Sequence, residues 1–160
     1  MKVICKIAKP GRTTWSVKGK NLEEVFKNLN AHRWWGQYKS GESIKWTLKD
    51  GKVDAVQVLV KPLISMPKWS GLSKATKEEK KSWDLMSKAL LKHENEHHKV
   101  FLKVLEAWVK KLETLTSLDK KALEKAWKAF GKEAQKQQDV FDKKTDHGAK
   151  KGVVLNIPAK

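Results

Sequence analysis

Cysteine is almost missing from this chain. Cys5 stands alone, so no internal disulfide can form and no cysteine set can hold a metal. Arginine is nearly missing too. Only Arg12 and Arg33 occur among 35 basic residues, which disfavours the bidentate contacts that sequence-specific nucleic-acid readers use. No apolar run reaches the roughly 18 residues that a membrane-spanning helix needs. The first twenty residues contain no apolar segment of signal-peptide type. The chain is therefore expected inside the cell, as a mature form, or exported by a route without a cleaved signal. Acidic residues are scarce as well: 18 against the 35 basic ones, a net charge of +17.

What is present bounds the fold. Apolar residues make up 39% of 160 residues and eight are Trp. A disordered chain does not have this composition, and the length suits one domain, residues 1–160, with a core of its own. The Lys-rich surface attracts nucleic acid, anionic lipid or acidic polymer without specificity, or serves simply to keep the protein in solution. Residues 2–8 and 13–17 read as short strands, and Asn21 as the N-cap of a helix through about Ala31. Ile44, Trp46 and Leu48 alternate with polar residues as in a half-buried strand. Asp50-Gly51 then signals a hairpin, with a return strand over about 52–60. Pro62 and Pro67 place the following segment at a sheet edge or exit. Thr76 and Glu79 form a capping box that opens a long helix, to about Leu115. A turn at Thr116-Ser117 and a third helix from about Asp119 predict an antiparallel helical hairpin. Val153-Val154-Leu155 could add a strand. The expected class is α+β and zincin-like: a small antiparallel sheet packed on the long helix, with a second antiparallel helix beside it.

The chemistry concentrates in that long helix, which carries His93-Glu94-x-x-His97. Residues four apart share one helical face, so both imidazoles can reach one cation with Glu94 beside them. This is the spacing of zinc hydrolases, in which two His hold the metal and the Glu acts as general base toward a metal-activated water. The apolar stripe Trp83, Met86, Leu90, then Phe101, Val104, Trp108 and Leu112 is interrupted only where the two His stand. They therefore face inward, where a polar group needs a partner. The bland alternative is a pair of core histidines bonded to backbone or carboxylate.

A hydrolytic zinc wants a third protein ligand. His98 is about 100° around the helix from His97, and His32 has no patterned context. His147 lies just past the third helix, whose return brings it toward residue 90, and Gly148 suits a tight turn. His147 is thus the expected third ligand. Asp142 and Asp146 are alternatives, and Asp142 and Thr145 could instead fix the turn. Tyr38, the sole Tyr, is a candidate oxyanion stabiliser. The edge of the Ile44–Val60 hairpin could hold an extended peptide.

Four features in order give the chain a family likeness: a Trp-bearing hairpin (Trp46, then Val56 to Val60), Pro67-x-Trp69, Trp83 ahead of His93-Glu94-x-x-His97, and Phe141-Asp142-x-x-Thr145-x-His147-Gly148. It resembles a bacterial family of predicted secreted zinc-dependent proteases, a domain of unknown function. The resemblance covers roughly residues 13–155. It implies zinc at His93 and His97, Glu94 as catalyst, roles for Asp142, Thr145 and His147, and export from the cell. The expected function is a zinc metallopeptidase acting on a peptide or protein. The rivals are a toxin or effector with the same chemistry, and a polyanion-binding protein with a structural or vestigial metal site.

Overall fold

A computed structural model describes residues 1–158. Its elements run β1 (Lys2–Ile7), β2 (Gly11–Val17), α1 (Leu22–Ala31), β3 (Gln37–Lys39), β4 (Glu42–Lys49), β5 (Lys52–Val60), β6 (Leu63–Trp69), α2 (Lys77–Glu113) and α3 (Lys120–Thr145). The α+β class is as expected, but the sheet is not. Instead of one antiparallel sheet there are two three-stranded mixed sheets, ordered β1-β5-β4 and β2-β6-β3. Each contains one parallel pair, β1 with β5 and β2 with β6. The chain forms two compact units, each drawing on three separated stretches of sequence.

The first unit comprises Met1–Pro10, Ser40–Pro62 and His97–Phe141. Its hairpin turns where expected, with Asp50 at φ 50° and Gly51 at φ 74°, the left-handed pair a tight hairpin requires. Val56, Val58 and Val60 of the central strand are buried. The helical part of this unit packs through aromatic side chains. Phe101 meets Phe130, Trp108 meets Trp127 and Phe130, and the Trp108 indole N–H donates to the Ala126 carbonyl at 3.2 Å. The buried positions on α2 run Phe101, Leu105, Trp108, Leu112, so the stripe passes through Leu105 rather than Val104.

The second unit comprises Gly11–Lys39, Leu63–Glu96 and Asp142–Lys160. Val17, Leu22, Val25, Leu29, Trp69, Trp83, Met86 and Leu90 make its core. Pro67 does not mark an exit. It lies within β6, the central strand. The reason is the shortness of β3, which pairs with β6 only over Leu63–Ser65. At Pro67 the strand has a neighbour on one side alone, Trp15 of β2, and a missing N–H is tolerated there. Residues 153–155 form no strand. Val153 is buried in the core instead, and the Asn156 N–H donates to Ser82 Oγ at 2.9 Å.

One carboxylate starts two helices in this unit. Glu79 Oε2 accepts from the Thr76 N–H at 2.9 Å, closing the expected capping box with Thr76 Oγ1. Its Oε1 accepts from the N–H of Leu22, the first residue of α1, at 3.0 Å. These backbone donors, that of Thr76 first, hold the Glu79 carboxyl below the ordinary glutamate value of 4.5. A depressed carboxylate contributes stability above its unfolded pKa and loses it as pH falls through the folded one. Glu79→Ala should therefore cost about 1–2 kcal/mol near neutrality. In a pH series of thermal melts, the gap between wild type and variant should narrow as pH falls below the ordinary glutamate value of 4.5. A gap that persists at pH 2 would refute the shared cap.

Candidate metal centre

The site begins with the inward face of α2. His93, Glu94 and His97 are 3%, 4% and 7% exposed, so all three occupy core positions of the helix. His98, one residue on, is half-buried, and burial pushes its pKa below the ordinary histidine value.

Each imidazole has a partner on α3. The Nε2 of His93 lies 3.2 Å from Asp142 Oδ1. The His97 Nδ1–H donates to Gln138 Oε1, and the Gln138 side-chain N–H donates back to the His97 carbonyl at 3.0 Å. Phe141 sets its ring edge-on to His97, centroids 4.8 Å apart. Gln138 was not singled out by the sequence. The signal that could have found it is its place four residues before Asp142, on the same helical face. Its amide fixes His97 with the proton on Nδ1, the kind of contact that orients metal-binding imidazoles.

Asp142 is held by the way α3 ends. The His147 N–H bonds to the Asp142 carbonyl at 2.9 Å and the Asp146 N–H to the Lys143 carbonyl at 3.4 Å, the crossed pair of a Schellman cap. Asp146, His147 and Gly148 then take φ of 51°, 49° and 89° in succession. Buried Thr145 braces the turn: its Oγ1 donates to the Asp142 carbonyl and accepts from the Gly148 N–H, both at 3.3 Å. Gly148 has a steric reason as well as a conformational one. A methyl group there would lie 2.6 Å from Val153 Cγ2 and 3.2 Å from Cγ and Nδ1 of His93.

The donors that converge are His93, His97 and Asp142, with ligand atoms within 4.8 Å of one another. Two ligands of one tetrahedral zinc, at bond lengths of about 2.0–2.1 Å, stand about 3.3 Å apart. The 3.2 Å between His93 Nε2 and Asp142 Oδ1 matches that edge, and a nitrogen–nitrogen–oxygen donor set suits zinc. His147 stands outside this trio. Its side chain is 81% exposed, and its Nδ1 lies 4.0 Å from Asp142 Oδ2. The left-handed turn is what sends that side chain outward. Asp146 is exposed at the same turn. Tyr38 is half-buried on β3, two residues beyond Gly36. A methyl group on Gly36 would lie 2.7 Å from Glu94 Oε1, so the main chain at Gly36 rests directly against that carboxylate. His32 serves elsewhere: its ring stacks on Trp15 at 4.0 Å and its Nδ1–H donates to the Trp34 carbonyl at 2.8 Å.

A family described as "Bacterial protein of unknown function (DUF922)" matches residues 12–148. The chain belongs to that family. No curated protein and no solved structure matches it. The DUF922 match takes in Gly36, the α2 motif, Gln138 and the whole turn to Gly148.

Gln138→Leu should leave the DUF922 protein folded, because position 138 is only half-buried. If a metal ion occupies the cluster, the variant should hold it about 10- to 100-fold more weakly, because the His97 ring is freed. Competition titration against a chromophoric chelator measures this. Unchanged affinity would mean that the amide does not orient the ligand.

Proposed function

We propose that this protein is a zinc-dependent metallopeptidase of zincin-like type, with His93, His97 and Asp142 as metal donors and Glu94 as general base. One observation carries the reading: three converging donors beside a buried carboxylate on the same helical turn. A bound zinc would supply Lewis acidity, polarising a carbonyl and a water. The chain's own residues do the rest. Glu94 takes a proton from the attacking water and returns it to the leaving amine. Gln138 holds His97 in one tautomer, and the capped turn holds Asp142. His147 is the alternative third donor, and Tyr38 a candidate partner for the oxyanion. For substrate, β3 is a better dock than the Ile44–Val60 hairpin. It is an edge strand that begins at the residue after Gly36, and an extended peptide can add to such an edge.

Two substitution sets test the reading. His93→Ala and His97→Ala should each abolish the binding of about one zinc per chain, read by elemental analysis after dialysis. Asp142→Ala should weaken zinc more than His147→Ala does; the reverse order would give the third place to His147. Glu94→Gln should retain zinc and fold yet lose hydrolysis of a mixed peptide library by at least 100-fold, since an amide cannot act as the base. Retained turnover would remove Glu94 from the mechanism.

A second reading has an observation of its own. Lys121, Lys125, Lys128, Lys132 and Lys136 are all exposed, and none forms an ion pair among the described residues. At 100° per residue they fall within an arc of about 80°, along about 22 Å of α3. Such a stripe supports polyanion binding, with the metal site structural or vestigial. Duplex DNA should then bind in low salt, with log affinity falling against log salt at a slope of about −4 to −5. Converting the five Lys to Gln should flatten that slope. No binding in low salt would leave the charge as a device for solubility.

A further inference from the structure

We infer that Gly36 is a positioning residue for Glu94: its missing side chain makes the space in which the carboxylate sits, and its main chain forms the wall that keeps it there. The inference rests on the proposed peptidase reading for its functional consequence, but not for the contact itself.

Glycine is not at position 36 for backbone freedom. Its φ is not among the positive values, which belong to Gly19, Gly41, Gly51, Gly148 and Gly152. An alanine could therefore adopt this backbone, and what it would lack is room. Its methyl carbon would stand 2.7 Å from Glu94 Oε1, 3.1 Å from Glu94 Cδ and 2.9 Å from Leu90 Cδ1. Something must move, and the main chain at Gly36 is held on both sides. Before it, the Trp15 indole N–H donates to the Trp35 carbonyl at 3.2 Å and the Trp35 indole N–H donates to Asn30 Oδ1 at 3.1 Å. His32 ties down the Trp34 carbonyl at 2.8 Å. After it, Gln37 enters β3, paired with Ser65 of β6. Opposite stand the ends of two flexible side chains, Glu94 and Leu90, so these yield, the nearer carboxylate first. The aromatic cluster around Trp15, His32, Trp34 and Trp35 thereby acquires a purpose, as the clamp on the segment that faces Glu94.

Two experiments on the full zinc-loaded chain test this. The first is a thermal cycle with Gly36→Ala, Glu94→Ala and the double variant. Gly36→Ala should lower the melting temperature when Glu94 is present, and by clearly less when the carboxylate has been removed. Additive effects, or coupling that appears with Leu90→Ala but not with Glu94→Ala, would overturn the inference. The second uses turnover of a mixed peptide library. Gly36→Ala should keep zinc affinity and KM within about twofold while kcat falls at least tenfold. Adding Glu94→Asp, whose carboxylate is one carbon shorter, should recover part of that loss relative to the product of the two single effects. A variant with unchanged kcat, or a double variant showing no recovery, would reduce Gly36 to a packing residue. A wild type that cleaves nothing in the library would count against the peptidase reading alone, and the thermal cycle would still decide the contact.

Discussion

The constraint on which most of this architecture depends is the burial of two imidazoles and a carboxylate on one face of α2. A polar group inside a protein costs about 1–3 kcal/mol if its hydrogen bonds are unmet. Placing His93, Glu94 and His97 where the stripe Met86, Leu90, Phe101 would continue therefore obliges the neighbouring elements to supply partners. Gln138 and Asp142 answer from successive turns of α3, one to each imidazole. Gly36 answers differently, by withholding a side chain so that main chain and carboxylate can approach. The residue types at 36, 138 and 142 thus follow from those at 93, 94 and 97.

The second consequence appears at the end of α3. Within one turn of Asp142, which reaches His93, the helix stops and the chain leaves sharply. It does so through three consecutive residues of left-handed conformation, two of which are not glycine. Left-handed geometry costs an ordinary residue about 1–2 kcal/mol. Only asparagine, aspartate and histidine visit it with any frequency, and Asp146 and His147 are of that group. The crossed cap bonds and the buried Thr145 hydroxyl offset the strain. Such strain, held by over-determined local bonding beside a cluster of polar donors, is usual at functional sites. Seen this way, the spacing Asp-x-x-Thr-x-His-Gly describes a turn before it describes a ligand set.

Local chemistry made much of this legible from the sequence. Asn21 does cap α1, the Thr76–Glu79 box does open α2, and Asp50-Gly51 does turn the hairpin. Each is a signal spanning a few residues. The parallel pairing of β1 with β5 and β2 with β6 joins segments about fifty residues apart, and no local pattern encodes it. Pro67 misled because its effect depends on how far β3 extends, a property of another segment. At the site, the α2 motif was plain from spacing alone. The placing of Asp142 and His147 was not, because it turns on backbone handedness at 146 and 147, and those residue types only permit that handedness. Gln138 and Gly36 stayed hidden for a further reason: each matters through what it touches across the fold.

A structural histidine–carboxylate pair and a metal site share much of this geometry, because a proton on His93 Nε2 and a cation compete for the same lone pair. The His93–Asp142 contact is therefore compatible with both. Under the proposed reading, Glu94 is what separates them. A structural pair is complete with His93 and Asp142 and gives no account of a second carboxylate on the next residue of the same buried face. Here that carboxylate is 4% exposed and lies under a clamped glycine main chain. The proposed role as general base would give a reason for burying Glu94 and setting the Gly36 main chain against it, because the carboxylate would then have a proton to move.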